Sequence, residues 1–231
     1  MCGRYGLFTP QEDLAELLRA RIRDRAWEGS YNLAPTQKGL VCREAEPGER
    51  ELVGLEWGLI PFWAKDPGET RSKYSLINAR AESVAEKPAF RAAFRRRRCL
   101  VPADGFYEWH AVEGGPKQPY WIRLKSGEPM TFAGLWERWE GEVEGQPRVL
   151  ESYTIIMGEP NELLGRIHNR MPVVLGSGDR DLWLDPGVGD PEALRGLLRP
   201  YPAEEMEAHP VSRGVNNPRN DGPELLEEVA E

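Results

Sequence analysis

Glycine and proline recur 24 and 20 times in this chain of 231 residues, leaving little room for a long uninterrupted helix. Proline removes a backbone donor and fixes φ, and glycine favours turns, so together they divide the sequence into short elements. Eight tryptophans lie among these breaks. The pattern predicts many turns and strands rather than a helical bundle. With 40% hydrophobic residues, the chain is long enough to bury a substantial core.

Element by element, a short strand is expected over 2–7. A helix follows from Thr9-Pro10 to about residue 20, with Thr9 as N-cap and Leu14, Leu17 and Leu18 as its apolar stripe. Strands are predicted at 38–43, 51–57, 98–101, 105–110, 120–125, 131–138 and 153–157, with a hairpin turn at Gly114-Gly115-Pro116. Residues 57–63 read as an aromatic-rich loop because Gly58 and Pro61 interrupt them. Helices are expected from about Asn78, at 88–97, at 162–168 and at 194–198, with 172–175 extended and an irregular acidic end. No repeat or linker divides the chain. The reading is one α+β domain over 1–231, with a curved, mainly antiparallel, barrel-like sheet flanked by short helices and a flexible tail at about 222–231.

Three cysteines (Cys2, Cys42, Cys99) and three histidines (His110, His168, His209) show neither a disulfide framework nor metal-ligand spacing. No metal or cofactor is expected. No apolar run reaches membrane-spanning length and no signal segment opens the chain, so a cytoplasmic, membrane-free protein is expected, as a monomer. The net charge of −8 argues against a polyanion partner, but its distribution does not. Residues 71–98 carry nine basic against two acidic groups, whereas 203–231 carry eight acidic against two basic. The basic segment is either a phosphate-binding surface or a solvated face with its counter-charges nearby. Within it, Arg95 to Arg98 alternate faces, so part of that run is structural.

Cys2 is the most reactive group in prospect. Removal of Met1, favoured before a small side chain, leaves an α-amine and a thiol on one residue. The amine can condense with an aldehyde to a Schiff base, and the thiol can close a thiazolidine ring on it. The ordinary values of an α-amine and a thiol, about 7.7–8.0 and 8.5, leave part of each nucleophilic at neutral pH. Three further clusters fall in or beside loops: Asn78-Ala79-Arg80-Ala81-Glu82, Pro102-Ala103-Asp104-Gly105-Phe106-Tyr107-Glu108-Trp109, and His168-Asn169-Arg170-Met171-Pro172. Residue type alone leaves each open. Asn78 also suits a helix N-cap, Glu108 a buried partner of an arginine, His168 a helix C-terminus, and Trp57, Trp63 and Trp109 a core. Cys42 and Cys99, in apolar strand patterns, read as inert core thiols.

These clusters resemble, together with Cys2-Gly3-Arg4-Tyr5, Tyr31-Asn32-Leu33-Ala34-Pro35-Thr36, the 57–63 loop and Val215-Asn216-Asn217-Pro218-Arg219-Asn220, the SOS-response-associated peptidase family, also known as abasic-site processing proteins. The strings occur in the same order from Cys2 to about Asp221. The resemblance implies that mature Cys2 captures the ring-opened aldehyde of an abasic site in single-stranded DNA as a thiazolidine crosslink, shielding the lesion during the damage response. It further implies nucleoid association on damage. Asn78 is implied to orient the deoxyribose, Glu108 to act in acid–base steps, and His168 to assist proton transfer. Arg4, Arg80 and Arg170 are implied to hold phosphates. Trp57, Pro61 and Trp63 are implied to form an aromatic wedge, with Asn32, Met171 and Pro172 also on the DNA side. The chemistry asks for the same residue types: an acid for ring opening and carbinolamine collapse, arginine forks for phosphates, and aromatic platforms for unpaired bases.

Rival readings use the same Cys2. An N-terminal-nucleophile amidotransferase requires an Asn-Gly oxyanion pair, and the chain has no Asn-Gly dipeptide. A thiol peptidase acting on itself or in trans could draw on Cys2, Glu108 and His168, and a Schiff base at the α-amine opens a route to AP-lyase chemistry. A plain single-strand-binding module leaves Cys2 incidental.

Overall fold

Short β-rich segments pair across long sequence separations in the computed structural model, which describes residues 2–25 and 27–230. The described strands are β1 (Tyr5–Leu7), β2 (Ala20–Ile22), β3 (Ser30–Leu33), β4 (Lys38–Glu46), β5 (Glu49–Trp57), β6 (Asn78–Arg80) and β7 (Arg98–Ala103). They continue with β8 (Gly105–His110), β9 (Gln118–Leu124), β10 (Met130–Val143), β11 (Gln146–Gly158), β12 (Met171–Pro172) and β13 (Met206–Pro210). Five short helices flank them: α1 (Gln11–Leu18), α2 (Pro67–Lys73), α3 (Arg91–Arg96), α4 (Ser177–Leu184) and α5 (Pro191–Arg195). None is long and apolar enough to cross a membrane.

Strands β4, β5, β11, β10 and β7 close into a five-stranded barrel. Its seams are antiparallel except the last, where β5 and β11 run parallel with Tyr153 opposite Trp57. Strands β2, β6 and β12 extend this barrel at its margins. A second sheet, in the order β13-β9-β8-β1-β3, packs over it. The rings of Tyr5 and Phe106 meet Phe132 edge-on at 6.2 and 5.8 Å, joining the two layers. The Tyr5 and Tyr153 hydroxyls hydrogen-bond at 2.6 Å in the same interior. One large core results, with smaller clusters around Trp121 and around Trp139, and each large apolar side chain buried in it stabilises the fold by about 1.5–3 kcal/mol.

The α+β class, the barrel-like sheet and the β8–β9 hairpin agree with the sequence reading. Four local expectations do not. Helix α1 carries no side-chain N-cap, because the Thr9 hydroxyl turns to the Asp104 carboxylate, which also accepts from Phe8 N and Thr9 N at 2.6 and 2.8 Å. Asn78 starts no helix. It opens β6, whose ladder partners Ile155 to Met157 on β11 override the local preference. The helix expected at 162–168 is reduced to one 3-10 turn at Leu164–Arg166. The acidic end, though mostly irregular after β13, is packed against the fold: β13 pairs with β9, Leu225 is buried, and Val229 N donates to Pro210 O at 3.0 Å.

Candidate functional site

Residues 2–4 continue the line of β1 alongside β8, and Tyr107 N donates to Arg4 O at 3.0 Å. This places Cys2 beside the segment that carries Glu108. On its other side β8 packs tightly on β9, where Gly105 lacks a side chain: a Cβ there would come within 2.6 Å of Ile122 O and strike the Trp121 ring. Cys2 itself is fully buried, its Sγ donating to Arg4 O at 3.5 Å. From the opposite side, Asn78 Nδ2 donates to Cys2 O at 2.7 Å. Asn78 Oδ1 is buried with no hydrogen-bond partner among the described residues, leaving an acceptor beside Cys2.

Glu108, only 2% exposed, faces His168 Nε2 across 4.0 Å. Burial pushes its carboxyl up to about 7, with the Trp109 backbone and Lys117 pulling the other way. The other ring nitrogen of His168 lies 3.1 Å from Arg170 N and 3.2 Å from Arg170 O. Nδ1 therefore has a partner whether it accepts or donates, and Nε2 is turned to Glu108. Burial lowers the His168 pKa. Burial, reinforced by the Glu108 carboxylate, pushes the Cys2 thiol well above the ordinary thiol range. The thiol is thus protonated at neutral pH, contrary to the partial thiolate expected of a free cysteine.

The remaining expected site residues divide between surface and scaffold. Arg80 is exposed on β6, one turn of the pleat from Asn78. Arg170 is paired with Glu82. Arg4 is half-buried and donates to Asn32 Oδ1 at 3.1 Å, Val215 O at 3.2 Å and Asn216 O at 3.4 Å. Asn32 is buried, and its Nδ2 donates to the carbonyls of Val215, Asn217 and Asn220 at 3.2, 3.1 and 2.8 Å. It fastens the C-terminal loop rather than presenting an amide to solvent. Trp57 is a core side chain, its indole donating to Ile77 O at 2.9 Å and its ring packed 5.2 Å from Tyr5. In that position it holds the residue preceding Asn78. Pro61, Met171 and Pro172 are buried.

The exposed aromatics are Trp63 (52%), its neighbour Phe62 (52%) and Tyr74 (60%) at the end of α2. Tyr74 escaped the sequence reading, which expected no helix at α2 to place it. A usable signal was present: Asp66-Pro67, an N-cap with proline at the first helical position, and the Asp66 carboxylate does accept from Glu69 N at 2.9 Å. Trp109, read only as a core candidate, donates its indole N–H to Asn216 Oδ1 at 2.8 Å, joining the strand of Glu108 to the same C-terminal loop. Among the described residues no group of His, Cys, Asp and Glu could hold a metal.

Comparison with known proteins decides the family. The family model described as SOS response associated peptidase (SRAP) matches residues 1–218. The chain belongs to the SRAP family. It is 44% identical over 230 residues to a Bacillus subtilis SRAP relative named abasic site processing protein YoqW, covering 98% of this chain and 99% of that one. It is 33% identical over 267 residues to abasic site processing protein HMCES of Xenopus tropicalis, covering 98% of this chain and 78% of the relative. The SRAP fold is also matched by a crystal structure of a Bacteroides thetaiotaomicron protein, with a TM-score of 0.88 and 25% identity, covering 99% of this chain and all of that one.

Proposed function

We propose that this SRAP protein captures abasic sites in single-stranded DNA as a covalent thiazolidine on Cys2, once Met1 has been removed. The observation that carries the reading is the convergence on Cys2 of the Asn78 amide at 2.7 Å and the Glu108–His168 pair. The names of the relatives supply the substrate class.

In the proposed reaction the lesion's cyclic hemiacetal first opens to its aldehyde, a step that needs a proton on the ring oxygen. Glu108, with a carboxyl near 7, is part acid and part base at neutral pH and can give that proton. The Cys2 amine then adds to the aldehyde carbon, and the carbinolamine loses water to form an imine. The protonated thiol adds last: its sulfur bonds to the imine carbon and its proton passes to the imine nitrogen, through Glu108. One water leaves overall. Amine first, thiol second is the order that the burial of the thiol supports. Asn78 fixes the Cys2 carbonyl and leaves its Oδ1 to accept from a hydroxyl of the opened sugar. Arg80 supplies a phosphate contact, and Trp63 with Tyr74 a stacking surface for the flanking bases.

A peptidase acting in trans would require a thiolate–imidazolium pair. Burial here raises the thiol and lowers the imidazole, the reverse of that arrangement. The test is intact-mass measurement after incubation with an oligonucleotide bearing one abasic site. The expected adduct is the Met1-free protein plus the oligonucleotide less one water, heat-stable, and absent for Cys2→Ser or for an N-acetylated protein. A heat-stable adduct that survives both changes would overturn the proposal.

A further inference from the structure

The arginine run at the end of α3 divides sharply between interior and surface. Arg98 is buried and donates to the carbonyls of Trp183, Phe94, Arg95, Asp185 and Val188. Arg97 pairs with the buried carboxylate of Glu137 and rests 5.8 Å above the Phe62 ring. Arg95 and Arg96, by contrast, are exposed, and no acidic side chain pairs with them among the described residues. Both line a cleft of about 320 Å³ together with Phe62, Ala92 and Arg97.

Phe62 gives that cleft one aromatic wall, and Trp63 follows it in the chain. Phe62 and Trp63, each 52% exposed, are adjacent, and the Trp63 indole donates to Pro88 O at 3.4 Å. An isolated exposed aromatic is ordinary, but Phe62 shares its cleft with two guanidinium groups that no carboxylate pairs among the described residues, and a second exposed aromatic, Trp63, adjoins it. The backbone also holds Phe62 outward, because its N–H donates to Glu137 Oε2 at 3.2 Å while Glu137 takes Arg97. Fixed aromatic faces with unpaired cations at their rim match a nucleotide strand: bases stack on the rings and phosphates meet the arginines. An acidic polypeptide would satisfy the charges but not the rings. The cleft adjoins Trp63, and through Pro88 the turn segment that leads back to β6 and Asn78.

We propose that the Phe62 cleft, with Arg95 and Arg96, is a second nucleotide subsite that takes the single strand beyond the nucleotides held beside Cys2. The identity of the strand rests on the abasic-site reading; the subsite's chemistry does not.

The experiment uses lesion-free oligothymidylates, one barely spanning the Cys2 site and one several times longer, titrated at several salt concentrations. For the long strand, Arg95→Gln/Arg96→Gln should lower affinity roughly tenfold at low salt and reduce the log–log salt slope by about 1.4, the loss of two single-strand phosphate contacts. Phe62→Ala should weaken long-strand binding while leaving the slope unchanged. Both variants should bind the short strand as the parent does, and should match its thermal melting. Unchanged long-strand affinity and slope in the folded double variant overturn the subsite, as does an equal loss for short and long strands. Loss of binding to polyglutamate in place of DNA overturns it too, by assigning the cleft to an acidic protein. Should the parent form no adduct with abasic DNA while the salt-slope result holds, the crosslinking reading fails and the subsite stands.

Discussion

Asn78 Nδ2 and the Cys2 carbonyl meet at 2.7 Å across 76 positions of sequence. The bond joins β6, a margin strand of the barrel, to the segment that leads into the overlying sheet. It fixes the Cys2 carbonyl, and with it the backbone of that residue.

Asn78→Ala removes that hold without touching the phosphate contacts. A net hydrogen bond of about 1–1.5 kcal/mol corresponds to a five- to tenfold fall in adduct formation. Single-turnover crosslinking should show this fall while affinity for lesion-free single strands stays within about twofold. Matched losses in both quantities would return Asn78 to a purely structural part.

Glu108 makes a pH-dependent contribution with a definite sign. Its folded carboxyl is raised from 4.5 to about 7 by burial, so the folded state holds the proton more tightly than the unfolded chain. Stability from this group is fully present below 4.5, declines as pH rises, and is lost above about 7. Glu108→Gln should therefore gain thermal stability relative to the parent between pH 5 and 8. The crosslinking rate of the parent should inflect near 7, and that of the variant should lose the inflection. A constant difference in melting temperature across that range contradicts the assignment.

Arg98 and Arg80 should behave oppositely. Arg98→Ala leaves several buried carbonyls at the end of α3 and near α4 unpaired, and urea denaturation should register a loss of about 3 kcal/mol or more. Arg80→Ala, on an exposed strand end, should leave the denaturation midpoint unchanged and flatten the salt dependence of DNA binding. An unstable Arg80 variant would refute this division of labour.

Trp57 and Trp63 offer a similar contrast within one loop. Trp63→Ala should cost about 1–3 kcal/mol of single-strand affinity, readable by fluorescence titration. Trp57→Ala should cost about 3–5 kcal/mol of stability, and its DNA defect should follow from that. Equal loss of stability in both would place Trp63 in the core.

What the sequence made legible follows from physics that is local. The β8–β9 hairpin was readable because Gly114-Gly115-Pro116 dictates a turn wherever it stands. Glu108 and His168 were readable as residue types suited to proton transfer, and the fold brings them within 4.0 Å. Asn78 was misread as a helix start because its strand exists only by pairing with β11, far along the chain. Asn32, Trp57, Pro61, Met171 and Pro172 were placed on the DNA side by resemblance, and the fold buries each of them, which motif order alone does not reveal. Asp104 and Asn32 each hold a distant backbone segment, a role that no spacing rule announces.

The Asn32 amide has a consequence for how the molecule comes into being. It gathers Val215, Asn217 and Asn220 onto β3, and Arg4 beside it shares the Val215 carbonyl and takes that of Asn216 as well. Until the nascent chain has passed residue 220 those carbonyls have not all been made, and Arg4 and Asn32 hold each other but not the whole loop. The contacts that fasten Arg4, two positions from Cys2, to this loop thus form only after synthesis has passed residue 216.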